Sequence, residues 1–167
     1  MIIVITGTPG TGKTKISNEL AGLLNKKTGK KFKVLHLNKE ILRRRLWSSA
    51  DKKRKSKNVD MRKLRKFVSL QKLRNKNLII ESHLAHYFRA DVVFVLRTRI
   101  KELKRRMERR GWNEAKIEEN LEAERLNLIL GEALDIHGRK KCIETDTTSK
   151  TSKTAAKDML RKAGLLQ

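Results

Sequence analysis

The sequence predicts an α/β fold in which five parallel strands form one sheet, in the order 2-3-1-4-5, with helices on both faces. Three observations lead there. Short apolar runs rich in β-branched residues or leucine alternate with longer stretches of helical periodicity. The first run opens directly into the glycine-rich "GTPGTGKT" of residues 7–14, and an amphipathic stretch follows. A chain of 167 residues has room for one sizeable core and not for two ordinary ones, so 1–167 is expected to be a single domain.

In chain order, "IIVIT" (2–6), "KVLHL" (33–37), "LIIE" (78–81), "VVFVL" (92–96) and "CIET" (142–145) read as strands, most of them buried on both faces. "KISNELAGLL" sets Ile16, Leu20 and Leu23 or Leu24 at helical spacing. In "RIKELKRRMERR" the residues Ile100, Leu103 and Met107 make one stripe, which Gly111 ends. A further helix is expected after Asn113, a good N-cap with Glu114 in the first turn, carrying Ile117, Leu121, Leu128 and Leu130. "SSADKKRKSKNVD" (48–60) has the composition of a solvated loop, and "TDTTSKTSKT" is a second polar connection before a short helix ending near Gly164.

No apolar run approaches the roughly 18 residues that cross a bilayer, and "MIIVITG" carries no basic leader, so a soluble, cytoplasmic protein without a membrane partner is expected. Cys142 is the one cysteine and has no partner for a disulfide or a metal cluster; it reads as a buried structural thiol. Charge is the unusual bulk property. The 42 basic residues outweigh 18 acidic ones for a net +24, and residues 39–76 alone hold 16 Lys and Arg against Glu40, Asp51 and Asp60. That segment reads either as a face for polyanions such as RNA or as a solvated surface.

"GTPGTGKT" fits the phosphate-binding pattern G-x-x-x-x-G-K-[ST] in full, and a strand before it and a helix after it supply the required context. Gly7, Gly10 and Gly12 allow the tight turn that aims backbone N–H groups at phosphate oxygens, and the helix N-terminus adds its partial positive charge. Lys13 is expected at the β- and γ-phosphates of ATP and the Thr14 hydroxyl at Mg²⁺.

In such a sheet, ligands sit beyond the carboxyl ends of the strands. "LIIESHLAH" (78–86) ends a strand there, which places Glu81 to hold the Mg²⁺ shell or orient an attacking oxygen, with His83 two residues on; His86 reads as a structural loop histidine. A guanine-specific switch would need N-K-x-D, which neither "LNKE" nor "LNKK" supplies, and a motor would need more chain. A nucleoside monophosphate kinase fits the size and needs cations around the moving phosphoryl group. Arg97, after "VVFVL", and Arg106 and Arg110, four apart and expected on one helix face, are the candidates.

"IIVITGTPGTGKT", "IIESHLAH", "VVFVLRT", "RRGWNEAKIEEN" and "DTTSKT" occur in the order and spacing of the atypical adenylate kinases, the group of the coilin-interacting nuclear ATPase protein and its archaeal relatives. The chain resembles that family over nearly its whole length, least between about 38 and 60. The resemblance implies the three-layer P-loop kinase core, phosphate transfer from ATP to AMP, ATP hydrolysis, and a role in rRNA processing and small-subunit ribosome biogenesis through RNA or a small-subunit ribosomal protein. It further implies that Gly10, Thr11, Gly12, Lys13 and Thr14 bind the ATP phosphates, and that Arg97, Arg106 and Arg110 lie on or near a lid at about 106–125. Asp146 to Lys150 would lie near the adenine, with Lys150 contributing to the nucleotide site, and Glu81-Ser82-His83 would stand where the family has Asp-x-His. The family's monophosphate-binding segment is often acidic, whereas residues 38–76 here are basic, with Arg43 near an expected AMP contact. Two readings remain: an adenylate kinase, or an ATP-driven ribosome assembly factor that binds RNA and whose kinase activity is incidental.

Overall fold

The computed structural model describes residues 1–51 and 56–165, with side chains outside 50–57. Its strands are β1 (Ile2–Gly7), β2 (Lys33–His36), β3 (Trp47–Asp51), β4 (Ser56–Val59), β5 (Leu78–Glu81), β6 (Val92–Arg97) and β7 (Cys142–Asp146). Its helices are α1 (Lys13–Thr28), α2 (Leu37–Arg43), α3 (Met61–Arg74), α4 (Ile100–Glu108), α5 (Glu114–Arg125), α6 (Leu128–His137) and α7 (Ser152–Lys162). Five strands form a parallel sheet in the order β2-β5-β1-β6-β7. This is the predicted arrangement in space; the chain numbering differs because β3 and β4 intervene.

Alternation along the strands builds the three layers. Val4, Ile80, Val93 and Val95 point to the face covered by α2, α3 and α6, where they meet Leu37, Ile41, Leu64, Val68 and Ala133. Ile3, Ile5, Ile79, Phe94 and Leu96 point to the opposite face, covered by Ile16, Leu20 and Leu24 of α1 and by Ala155, Met159 and Leu160 of α7. Every member of both sets is buried. A separate small cluster joins α4 to α5 through Leu103, Met107, Ile117 and Leu121. Among the described residues, no helix is long and apolar enough to cross a membrane.

Several expectations need correction. The segment 48–60 is not irregular throughout: Trp47–Asp51 and Ser56–Val59 pair as an antiparallel hairpin, which their polar composition did not announce. Lys52, Lys53, Arg54 and Lys55 lie outside the described residues. The single helix expected from Asn113 to Leu130 is two helices. Asn113 does cap the first, its side chain accepting from Lys116 N at 2.9 Å, but Asn127 turns into the left-handed region at φ 55 and separates α5 from α6. Asn tolerates that conformation better than most residues. Helices α2 and α3 went unforeseen in a segment dominated by charge, although Asp60 caps α3 through Lys63 N at 3.0 Å and buried Leu64, Phe67, Val68 and Gln71 follow at helical spacing. Cys142 is half-buried rather than buried; its thiol donates to Ala133 O at 3.2 Å, and burial raises its pKa.

Candidate active site

The turn after β1 works because of its glycines. Gly7 has φ 136, and a Cβ there would run into the Leu96 carbonyl oxygen of the neighbouring strand β6. Gly10 has φ 101, and a Cβ would lie 2.8 Å from Leu103 Cδ1 of α4. The glycine-rich turn therefore packs directly against the small α4–α5 cluster, with no room for a side chain at Gly10 between them.

Lys13 opens α1 almost fully buried, and its ammonium donates to Gly7 O at 2.8 Å and Thr8 O at 3.1 Å. The side chain thus curls over the loop whose backbone it is expected to serve. Burial lowers its pKa from 10.5 to about 8; nearby Glu81 opposes the drop, Arg110 adds to it, and Glu124 opposes it more weakly. Lys13 stays protonated at neutral pH, but with little margin.

Parallel pairing brings Glu81 beside Ile5 on one flank and beside His36 on the other. Glu81 is 5% exposed; its Oε2 accepts from His36 Nδ1 at 2.8 Å and lies 3.4 Å from Thr14 Oγ1. The predicted Thr14–Glu81 pair is therefore brought together. A hydroxyl and a carboxylate are hard oxygen donors. That suits Mg²⁺, which takes one or two protein oxygens and completes its shell with water and phosphates.

His83 lies nearby, its imidazole making no hydrogen bond among the described residues. Burial first, then the charges of Lys13 and His86, lowers its pKa from 6.5 to about 4, so the ring is neutral at physiological pH. His86 is structural, as expected: it is buried, with Nδ1 3.0 Å from Thr6 Oγ1 and Nε2 2.9 Å from Glu132 Oε2.

The arginines divide. Arg97 closes β6 by pairing through Nε with Glu124 Oε1 at 2.7 Å and through Nη1 with Glu144 Oε1 at 3.3 Å. Arg106 binds Glu102 at 2.8 Å and donates to the carbonyls of Thr147 and Thr148 at 2.9 and 3.1 Å, holding the "DTTSK" loop. Arg106 and Arg110 do not share a helical face as expected, because α4 ends at Glu108 and Arg110 sits in the following turn, exposed. The Arg110 side chain makes no hydrogen bond or ion pair among the described residues, yet it is near enough to Lys13 to lower that residue's pKa. Lys150 pairs with Asp158 of α7 at 2.7 Å, and Arg43 is bound to Glu40 at 2.7 Å.

Two residues escaped the sequence reading. Glu124, 3% exposed, accepts from Thr8 Oγ1 of the cradle, from Arg97 and from Thr98 N at 3.1 Å, tying three elements together. Its mark in the sequence is an acid on the buried stripe Ile117–Leu121–Glu124. His36 is the last residue of β2 just as Glu81 is of β5, and only the pairing of those strands makes the two neighbours.

The AAA-domain family profile matches residues 3–127. A protein of Methanosarcina acetivorans named "Putative adenylate kinase" is 43% identical over 165 residues, covering 95% of this chain and 84% of its own. One of the same name from Pyrococcus furiosus is 38% identical over 160 residues, covering 96% of this chain and 82% of its own. This chain belongs to their family of P-loop proteins. In fold it is similar to the shikimate kinase of Acinetobacter baumannii, with a TM-score of 0.65 at 20% identity over 97% of this chain and 92% of that one. It is also similar to the deoxyadenosine kinase of M. mycoides, with a TM-score of 0.60 at 18% identity over 98% of this chain and 100% of that one. This chain thus shares the three-layer fold of those kinases.

Proposed function

We propose that this protein is an adenylate kinase of the atypical group, transferring the γ-phosphoryl group of ATP to AMP in the cytoplasm, with ATP hydrolysis when water takes the acceptor's place. The observation that carries this reading is the convergence of Lys13, Thr14 and Glu81 at the ends of β1 and β5, beside Arg110, whose side chain has no hydrogen-bond or ion-pair partner among the described residues. In it, Gly10, Thr11, Gly12 and Lys13 hold the phosphates, while Thr14 and Glu81 would hold Mg²⁺. When bound, Mg²⁺ supplies charge neutralisation on the β- and γ-phosphate oxygens. Neutral His83 orients the acceptor or a water. Arg110, on a lid spanning about 106–125, meets the transferring group from the far side. Arg106 and Arg97 act indirectly, Arg106 by fixing the adenine-side loop that ends at Lys150 and Arg97 through Glu124.

The test supplies ATP and Mg²⁺ with each nucleoside monophosphate in turn and follows diphosphate formation. ADP formation fastest with AMP is expected. Turnover with another monophosphate alone, or none above background hydrolysis, would overturn the assignment.

A second reading, an assembly factor that binds RNA during maturation of the small ribosomal subunit, has its own support. Helix α3 presents exposed Arg62, Lys63, Arg65, Lys66 and Arg74 in a segment already far from neutral. Lysines and arginines that neutralise phosphates release condensed counterions, so affinity for RNA should fall steeply with salt. About six phosphate contacts would give a slope of roughly −4 to −5 in log K against log salt. Replacing Arg62, Arg65 and Lys66 with serine should flatten the slope and leave ATP affinity unchanged. If the wild type shows no salt-dependent binding at low ionic strength, α3 is only a solvated face.

A further inference from the structure

His36 is the second residue seated against Glu81, and nothing in the phosphate-binding pattern calls for it. It ends the edge strand β2, in register with Glu81 at the end of β5. Its side chain is 19% exposed, and its Nδ1 lies 2.8 Å from Glu81 Oε2, the same oxygen that faces Thr14. A carboxylate has no proton to give, so Nδ1 donates. The contact is short and nearly water-free on the carboxylate side, where Glu81 is only 6% exposed. A glutamate has three rotatable side-chain bonds, and Thr14 at 3.4 Å holds it weakly. His36 supplies the firm contact. Its surroundings support this role: Ser82, next in the chain, donates to Asn38 Oδ1 at 2.9 Å, so the start of α2 and the end of β5 are fastened to each other just beyond the His36–Glu81 pair. His36 also lines a cleft of about 160 Å³ with Lys39, Arg43, Arg44 and Gln71.

We infer that His36 is a positioning residue for Glu81, its Nδ1–H fixing the carboxylate in the orientation that faces Thr14. This rests on the kinase reading for its effect on turnover but not for the contact itself. A loosely held carboxylate samples many orientations, and only a few serve the reaction, so loss of the donor lowers kcat while leaving nucleotide binding at the cradle alone.

Asparagine and glutamine separate positioning from bulk. Asn places its amide nitrogen where Nδ1 stands, whereas Gln places its own one bond further out. His36→Ala and His36→Gln are expected to lower kcat about 10- to 30-fold with KM for ATP within about threefold, and His36→Asn to return kcat to within about threefold of wild type. Combined with Glu81→Gln, His36→Ala should add less than about threefold, since the positioned group is already lost. Equal impairment of the Ala and Asn variants, or full additivity with Glu81→Gln, would overturn the assignment. A measurement without turnover stands beside these. In the ligand-free protein, long-range ¹H–¹⁵N spectra should show His36 protonated at Nδ1, reverting in Glu81→Ala to the Nε2–H form that an unconstrained imidazole prefers. If wild-type His36 carries its proton at Nε2, the inference is wrong whatever the enzyme phosphorylates. If the spectra behave as expected and no diphosphate forms, only the kinase reading fails.

Discussion

Lys13→Met is expected to lower kcat/KM for ATP by about 10³-fold or more, the largest effect of any single replacement in the site. Methionine keeps the length of the stem and removes the charge. The ammonium it removes is buried over the cradle, 2.8 Å from Gly7 O, in a setting where water screens little and a charge facing phosphates counts for most. The same burial makes the effect titratable. Because the charged form is the one that attracts phosphate, and burial brings its pKa to about 8, kcat/KM of the wild type should fall tenfold per unit above about pH 8. In the nucleotide complex the phosphates favour the charged form, so the alkaline fall in kcat should lie at higher pH. Steady-state kinetics across pH 6 to 10 reads both limbs, and circular dichroism verifies that Lys13→Met is folded. A variant within tenfold of wild type would leave the cradle to its backbone N–H groups alone.

Glu81→Gln and His83→Ala should each cut kcat by about 10²-fold with ATP affinity nearly unchanged, as expected for groups that act mainly in the transition state. Glutamine keeps the shape of Glu81 and its place beside His36 while discarding the negative charge that faces Thr14. His83 acts differently. Its pKa of about 4 keeps it neutral, so in the proposed reaction it would order an oxygen through a hydrogen bond and could not supply charge; kcat should show no histidine titration from this residue between pH 5 and 8. Glu81→Asp retains the carboxylate but withdraws it by one methylene from both Thr14 and His36, and should fall between wild type and Glu81→Gln. Stopped-flow nucleotide binding and single-turnover rates separate the two quantities. Unchanged turnover in Glu81→Gln would return that residue to the structural framework around β5.

The parts of this protein that were legible in its sequence are those fixed by local chemistry. Short apolar runs rich in β-branched residues or leucine made all five strands of the sheet visible, including β2 and β7 at its edges, which are only partly buried. The glycines of "GTPGTGKT" answer to backbone conformation, and the structure requires the positive φ of Gly7 and Gly10 that the motif implies. Asn113 as a cap and Ile100, Leu103 and Met107 as a stripe were equally local. Charge hid α3, whose buried face of Leu64, Phe67 and Val68 is interrupted by Arg65 and Lys66 pointing outward. A polar hairpin offered no hydrophobic alternation to find.

Partnership was the part that only the tertiary structure decided. Sequence spacing put Arg106 and Arg110 on one face; the end of α4 at Glu108 instead gave Arg106 to the carbonyls of Thr147 and Thr148 and left Arg110 on the turn near Lys13. Arg97 and Glu124 are 27 residues apart and Thr8 and Glu124 are 116 apart, yet all three meet in one buried cluster. His36 and Glu81, 45 residues apart, are joined only because β2 lies beside β5 in the sheet. A residue's type and its neighbours in the chain fix what it can donate, accept or bury. Which partner it finds depends on strand order, helix ends and the layers that bring distant segments within about 3 Å, the range of a hydrogen bond.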